Sequence, residues 1–230
     1  MPRWVKGIVI AGAVIGTLLG GSFAATFVSL VTPAGSMWPT LPVGGRIYAN
    51  RYAKDPARGV IVVFRYPEKR EQSFAKRIVG LPGDVIVTSE GGLTINDWKV
   101  PRCIVGTSGY DDPLGEGQKH EGVIAVEWLD ASAYLVFEDK SAGPPGDESR
   151  YVVEPGKYFV VGDNRRNSHD SRVWFGGKGG GVPFADTVGR VRGHDVPELP
   201  ADARDREKLS AALAECLVKK PAVTSPPAPK

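Results

Sequence analysis

From Arg46 to Arg192 the apolar residues fall in short runs broken by turn residues, the spacing of β-strands rather than helices. The runs predict strands at Arg46–Ala49, Val60–Tyr66, Ser73–Val79, Asp84–Thr88, Leu93–Ile95, Val123–Glu127, Tyr134–Glu138, Tyr151–Val153, Tyr158–Val161 and Thr187–Arg192. Val60-Ile61-Val62-Val63-Phe64 is apolar at every position, so that strand is expected to be buried on both faces. Leu81-Pro82-Gly83-Asp84 has Pro then Gly at the centre of a type II turn, and Glu90–Gly92 and Ile95–Asp97 read as hairpin turns. Residues 104–122 and 139–150 are rich in Gly, Asp, Pro and Lys and read as long loops, within a peripheral insert over about residues 100–155. Phe175–Gly181, mostly glycine, is expected to be mobile.

The two ends follow other patterns. Residues 7–31 carry no charge. As a helix they span roughly 37 Å, enough to cross a ~30 Å hydrocarbon core with tilt. A cleavable export signal has a shorter apolar region, ~7–15 residues, so an uncleaved transmembrane helix is expected. Arg3 and Lys6 precede the run, and Arg46 is the first charge after it. That asymmetry leaves residues 1–6 in the cytoplasm and exports residues 32–195, a mainly β body that for a bacterial chain lies on the outer face of the inner membrane. In residues 196–230, Leu209, Leu213, Cys216 and Leu217 recur at i, i+4, i+7 and i+8, an amphipathic helix, before a proline-rich tail expected to be disordered.

Composition narrows the function classes. A formal charge of +3, with no basic stripe, argues against a nucleic-acid partner. The two cysteines, Cys103 and Cys216, and the scattered His120, His169 and His194 form no metal-binding spacing, so no metal or cofactor is expected. A disulfide is permitted in an exported body but does not follow from the sequence.

The chemistry concentrates in three places. Pro33-Ala34-Gly35-Ser36-Met37-Trp38-Pro39 is a small turn just past the uncharged run, and its serine needs a base to become a nucleophile. His169 is a poor base for a triad with Asp170, because adjacent strand residues point to opposite sides. Lys76 is the better base. Alternation puts Phe74, Lys76 and Ile78 on one strand face, where the lysine either snorkels to water or is held among apolar atoms with a lowered pKa. Gly162–Gly176 gathers Asp163, Asn164, Ser168, Asp170, Ser171 and Arg172. It reads either as a turn with an Asp170–Arg172 salt bridge or as a polar floor that fixes Lys76.

In this order, Gly35–Leu41, Arg58–Phe64, Lys76–Asp84, Gly162–Arg172 and Gly181–Val191 resemble the boxes of bacterial type I signal peptidases, membrane-anchored Ser/Lys proteases that remove signal peptides from exported proteins. The resemblance covers residues 1 to about 193. It implies an antiparallel β-sheet or barrel body. Ser36 is implied as nucleophile, Lys76 as neutral general base and Ser168 as the serine that orients the lysine. Asp170 and Arg172 are implied as a supporting ion pair, with Asp163 a further structural acid. The backbone N–H of Ser36 is implied as an oxyanion donor. Preprotein signal peptides with Ala-X-Ala-like sites and membrane lipid are the implied partners. Many members carry a serine two residues before the nucleophile as second oxyanion donor; here Ala34 stands there, a loss worth ~3 kcal/mol of barrier if nothing replaces it. A specialised relative that processes a pilin or conjugation precursor, and an inactive tethered peptide-binding module, are the alternatives.

Overall fold

The computed structural model describes residues 26–89, 92–113, 117–142, 149–191 and 197–229. All its strand pairs are antiparallel. The strands are β1 Phe27–Val31, β2 Arg46–Asn50, β3 Ile61–Tyr66, β4 Lys69–Gly80, β5 Val85–Ser89, β6 Gly92–Ile95 and β7 Trp98–Lys99. They continue as β8 Arg102–Asp111, β9 Lys119–Leu129, β10 Ser132–Asp139, β11 Ser149–Val152, β12 Lys157–Val161, β13 Val182–Pro183 and β14 Thr187–Val191. Three sheets result, in the orders β1-β2-β14-β3-β4-β12-β13, β10-β9-β8 and β11-β5-β6-β7. Strands β1 and β13 end the large sheet, so among the described residues it is open and does not close into a barrel.

Strand β3 is covered on both sides, as its unbroken apolar run requires. Ile61 and Val63 pack with Met37, Leu41, Ile47, Ala49 and Val191. Val62 and Phe64 pack on the other face with Ile78, Tyr158, Val160 and Trp174. The hairpin turns follow their residues. Gly83 sits at φ +88 with Asp84 N–H bonded to the Leu81 carbonyl, and Asn96 and Asp97 both take positive φ between β6 and β7.

Four expectations need correction. The expected transmembrane helix lies outside the described residues as far as residue 25, but Phe27–Val31 is strand β1, paired with β2, so a helix does not extend to residue 31. Among the described residues no helix is long and apolar enough to cross a membrane. Residues expected to be loop between 104 and 122 are largely strand. Gly109 and Gly122 are there because a Cβ would lie 2.1 Å from the His120 carbonyl oxygen and 2.0 Å from that of Glu138, so these glycines serve close strand approach, not a turn. The sheet they build, β8–β10, is not peripheral: its Ile124, Val126, Trp128, Leu135 and Phe137 are buried in one cluster with Trp38.

The tail is also ordered. Asp130 N–H bonds to the Thr224 carbonyl, Thr224 Oγ1 bonds back to the Asp130 carbonyl, and Asn96 Nδ2 holds the Pro227 carbonyl. Preceding it, helix α1, Arg206–Val218, buries Leu209, Leu213 and Cys216 against the body. Cys216 is joined to Cys103 of β8 by a disulfide.

Candidate active site

Strand β4 carries Lys76 opposite Val62 of β3, and its alternation determines where the long side chain goes. Phe74 and Ile78 share that face, and both belong to the apolar cluster beneath it. Lys76 is only 4% exposed, with its Nζ 5.7 Å from the centre of the Phe74 ring. Burial among these groups disfavours the ammonium form and pulls the lysine down to about 8, against the opposing pull of Asp170. Its Nζ donates to Ser36 Oγ at 2.5 Å.

Ser36 lies in a short turn, Gly35–Met37, that follows an extended Ala34. The turn is seated on the β8–β10 sheet. Trp38 is buried, stacked on Tyr110 and edge-on to Phe137, and Met37 packs under the large sheet, so both pack rather than face a membrane. Asn164 N–H holds the Ser36 carbonyl at 3.1 Å. Gly35 is buried, and a Cβ on it would sit 2.0 Å from Tyr110 Oη. The glycine is therefore required by the tyrosine behind it.

The polar segment after β12 hangs from β10. Phe137 N–H bonds to the Asp163 carbonyl and Arg165 N–H to the Phe137 carbonyl. Asp163 pairs with Arg77 through two hydrogen bonds of 2.8 and 2.5 Å, both side chains buried. Asp170 is gripped by Arg172 at 2.7 Å through both Nε and Nη2, and accepts Gly162 N–H at 2.8 Å. Burial pushes the Asp170 carboxyl upward, but the Arg172 guanidinium outweighs it and holds the group below the usual carboxylate range. The sequence thus locates both acids, and the geometry gives each its own arginine.

Ser168 stands in the same pocket: its Oγ lies 2.2 Å from the position of a Cβ on Gly162, itself 2.5 Å from the Ser36 carbonyl oxygen. The Ser168 hydroxyl is buried and lies toward the Asp170 carboxylate, and the bond expected from Lys76 is not made here. Ala34 is exposed and brings no side-chain donor. His169 bonds through Nε2 to Tyr66 Oη at 2.8 Å, and Asp170 is committed to Arg172, so no triad forms. His194 lies outside the described residues.

Several supporting residues escape a linear reading. Arg77 shares the inward face of Ala75 and Val79, and a charge on an apolar face implies a buried partner, a signal the sequence did contain. Arg165 pairs with Glu127 of β9 in the same buried manner. Behind Gly35, Tyr110 stacks on His120, whose Nδ1 lies 2.6 Å from Asp139 Oδ2. Nothing in the local pattern marks this group, because Tyr110 and His120 lie in a segment that reads as loop.

Comparison with known proteins adds an independent line. The family model described as "Signal peptidase, peptidase S26" matches residues 1–194. Signal peptidase I of Pseudomonas fluorescens and that of Pseudomonas aeruginosa are each 35% identical over 158 residues, 62% of this chain and 53% of the relative. Signal peptidase I of Rickettsia akari is 35% identical over 153 residues, 64% of this chain and 53% of the relative. The chain thus spans about half the length of the curated relatives it matches. A crystal structure of a signal peptidase I from Enterococcus faecalis aligns with a TM-score of 0.38 at 24% identity, over 61% of this chain and 99% of that one.

Proposed function

The chain belongs to the signal peptidase family, and from that premise we propose that it is a membrane-anchored serine endopeptidase that cleaves signal peptides from exported preproteins after small residues, with Ser36 as nucleophile and Lys76 as general base. The observation that carries this reading is the 2.5 Å contact between Lys76 Nζ and Ser36 Oγ, made by a buried lysine whose pKa is drawn down to about 8. At pH 7 about a tenth of such lysines are neutral, enough to act as a base.

In the proposed reaction the neutral amine takes the hydroxyl proton as Ser36 Oγ adds to the scissile carbonyl. The backbone N–H of Ser36 stabilises the oxyanion. The Lys76 ammonium then protonates the departing amine as the C–N bond breaks, leaving an acyl-serine and a neutral lysine. Water, deprotonated by the same lysine, adds to the acyl carbon. The lysine returns that proton to Ser36 Oγ as the C–Oγ bond breaks, releasing the signal peptide with its new carboxyl group and restoring the free serine and neutral lysine. Ser168, whose hydroxyl does not bond Lys76 in the resting structure, is assigned to accept an N–H hydrogen bond from the amine during the reaction and so orient it. Asp163 and Asp170, each neutralised by its own arginine, hold the floor without pinning Lys76 as a permanent ion pair.

The uncharged residues 7–25 are the proposed anchor, with the β body on the outer face of the cytoplasmic membrane. The test is digestion of a preprotein with an Ala-X-Ala site by the full chain in detergent. The wild type should release the mature protein, while Ser36→Ala and Lys76→Ala should reduce single-turnover cleavage by at least a thousandfold. Near-native cleavage by Lys76→Ala would overturn the dyad.

A further inference from the structure

The start of β1, the end of β2, the start of β14 and the end of β3 lie on the same side of the large sheet, in a staggered row. Strand β1 begins opposite the end of β2, with Phe27 facing Asn50. Strand β14 passes Asn50 at Arg190, one residue before its own end, and its first residue, Thr187, lies three positions further out on that side, opposite Phe64 near the end of β3. Residues 7–25, uncharged throughout, lead into the sheet through Thr26 on this same side. Arg51 N–H holds the Thr26 carbonyl at 2.9 Å.

A cavity of about 300 Å³ opens on that side, lined by Arg51, Lys54, Arg65, Ala185, Thr187 and Val188. Three cations therefore converge on one polar hollow. All three are exposed, and among the described residues none of them has a carboxylate within ion-pair distance. The acid between Ala185 and Thr187, Asp186, is buried and committed to Arg70. Converging like charges repel unless an anion joins them. Tyr52, which follows Arg51 in the chain, is 76% exposed, and tyrosine is enriched at membrane–water boundaries.

We propose that this hollow binds the phosphate of an anionic phospholipid headgroup. The assignment rests on the anchoring role given above to residues 7–25, which sets this side of the sheet, rather than another, at headgroup depth. The chemistry is that of charge-assisted hydrogen bonds from two guanidinium groups and one ammonium to phosphate oxygens. Docking a lipid here fixes the sheet's angle to the bilayer. That in turn sets how far from the membrane Ser36 meets its substrate, because β1 carries the chain about 17 Å from Thr26 toward the nucleophile turn.

The test uses the full chain in a non-ionic detergent, titrated calorimetrically with dioctanoyl phosphatidylglycerol, dioctanoyl phosphatidylcholine and inorganic phosphate. The proposal expects saturable binding of phosphatidylglycerol that weakens with salt, falls at least tenfold in the triple variant Arg51→Gln/Lys54→Gln/Arg65→Gln, and is absent for phosphatidylcholine. Equal binding by wild type and variant overturns it. So does inorganic phosphate that binds as tightly as the lipid, which would make the hollow a site for a soluble anion. Flotation with phosphatidylcholine vesicles checks the anchor separately: if both proteins float, the anchor stands whatever the titration shows, and if neither floats, the anchor reading fails and the titration still decides the hollow.

Discussion

Lys76 is costly to bury and useful for the same reason. Its ammonium loses water in the folded state, so the unfolded chain binds the proton more tightly than the native one. With a native pKa of about 8 against 10.5 unfolded, the unfolded state holds the extra proton between those pH values, and stability rises with pH across that window. Below pH 8 the lysine is protonated in both states and the full penalty applies, roughly 3 kcal/mol. Lys76→Met should therefore be more stable than wild type at pH 7 by up to about 3 kcal/mol in urea denaturation, the gap closing by pH 10.5. In the active protein kcat/KM should climb through a single limb near pH 8. A limb near pH 6.5, the ordinary range of a histidine, would point to a different base.

At the scale of elements, the Ser36 turn and the β8–β10 sheet are one device. The turn has few hydrogen bonds of its own, and its shape is held by Trp38 and Tyr110 packed against that sheet and by Asn164 N–H on the Ser36 carbonyl. Gly35→Ala would drive a methyl into Tyr110 Oη, and the ring cannot retreat because Trp38 and His120 cover its two faces. Overpacking of this kind costs about 1–3 kcal/mol. We expect Gly35→Ala to slow single-turnover cleavage tenfold or more, and Gly35→Ala/Tyr110→Phe, which removes the colliding oxygen, to recover part of the loss. An unimpaired Gly35→Ala would mean the turn does not depend on this seat.

For the whole molecule, the C-terminal segment closes the body. Helix α1 is joined to β8 by Cys103–Cys216 across a sequence separation of 113, and the tail beyond it binds the β9–β10 and β6–β7 turns. A cross-link over so long a loop stabilises by about 4–5 kcal/mol in the chain-entropy account. Reducing agent should lower the thermal midpoint of the wild type by several degrees and leave that of Cys103→Ala/Cys216→Ala unchanged. The same midpoint for oxidised and reduced wild type would sink this role. Strand β1 also lengthens the link between the expected anchor and Ser36: Ser36 follows Thr26 by ten residues, five of them in the sheet, so its place is set by strand pairing more than by proximity to the apolar run.

What the sequence determined by itself is whatever depends on periodicity or on a residue's own chemistry. The apolar run of β3, the alternation that turns Lys76 inward with Phe74 and Ile78, the Asp170–Arg172 pair two residues apart, and the i, i+4, i+7 face of α1 are local patterns. Backbone geometry converts them directly into positions. Only the tertiary structure decided the contacts between distant segments: Arg77 with Asp163, Cys103 with Cys216, Tyr110 behind Gly35, and the tail on Asp130. Each joins groups more than seventy residues apart. Strand β1 and the glycine-bearing β8 belong with them: the glycines of β8 serve the close approach of its partner's backbone, and β1 is a short apolar run whose own residues do not separate strand from helix until β2 pairs with it.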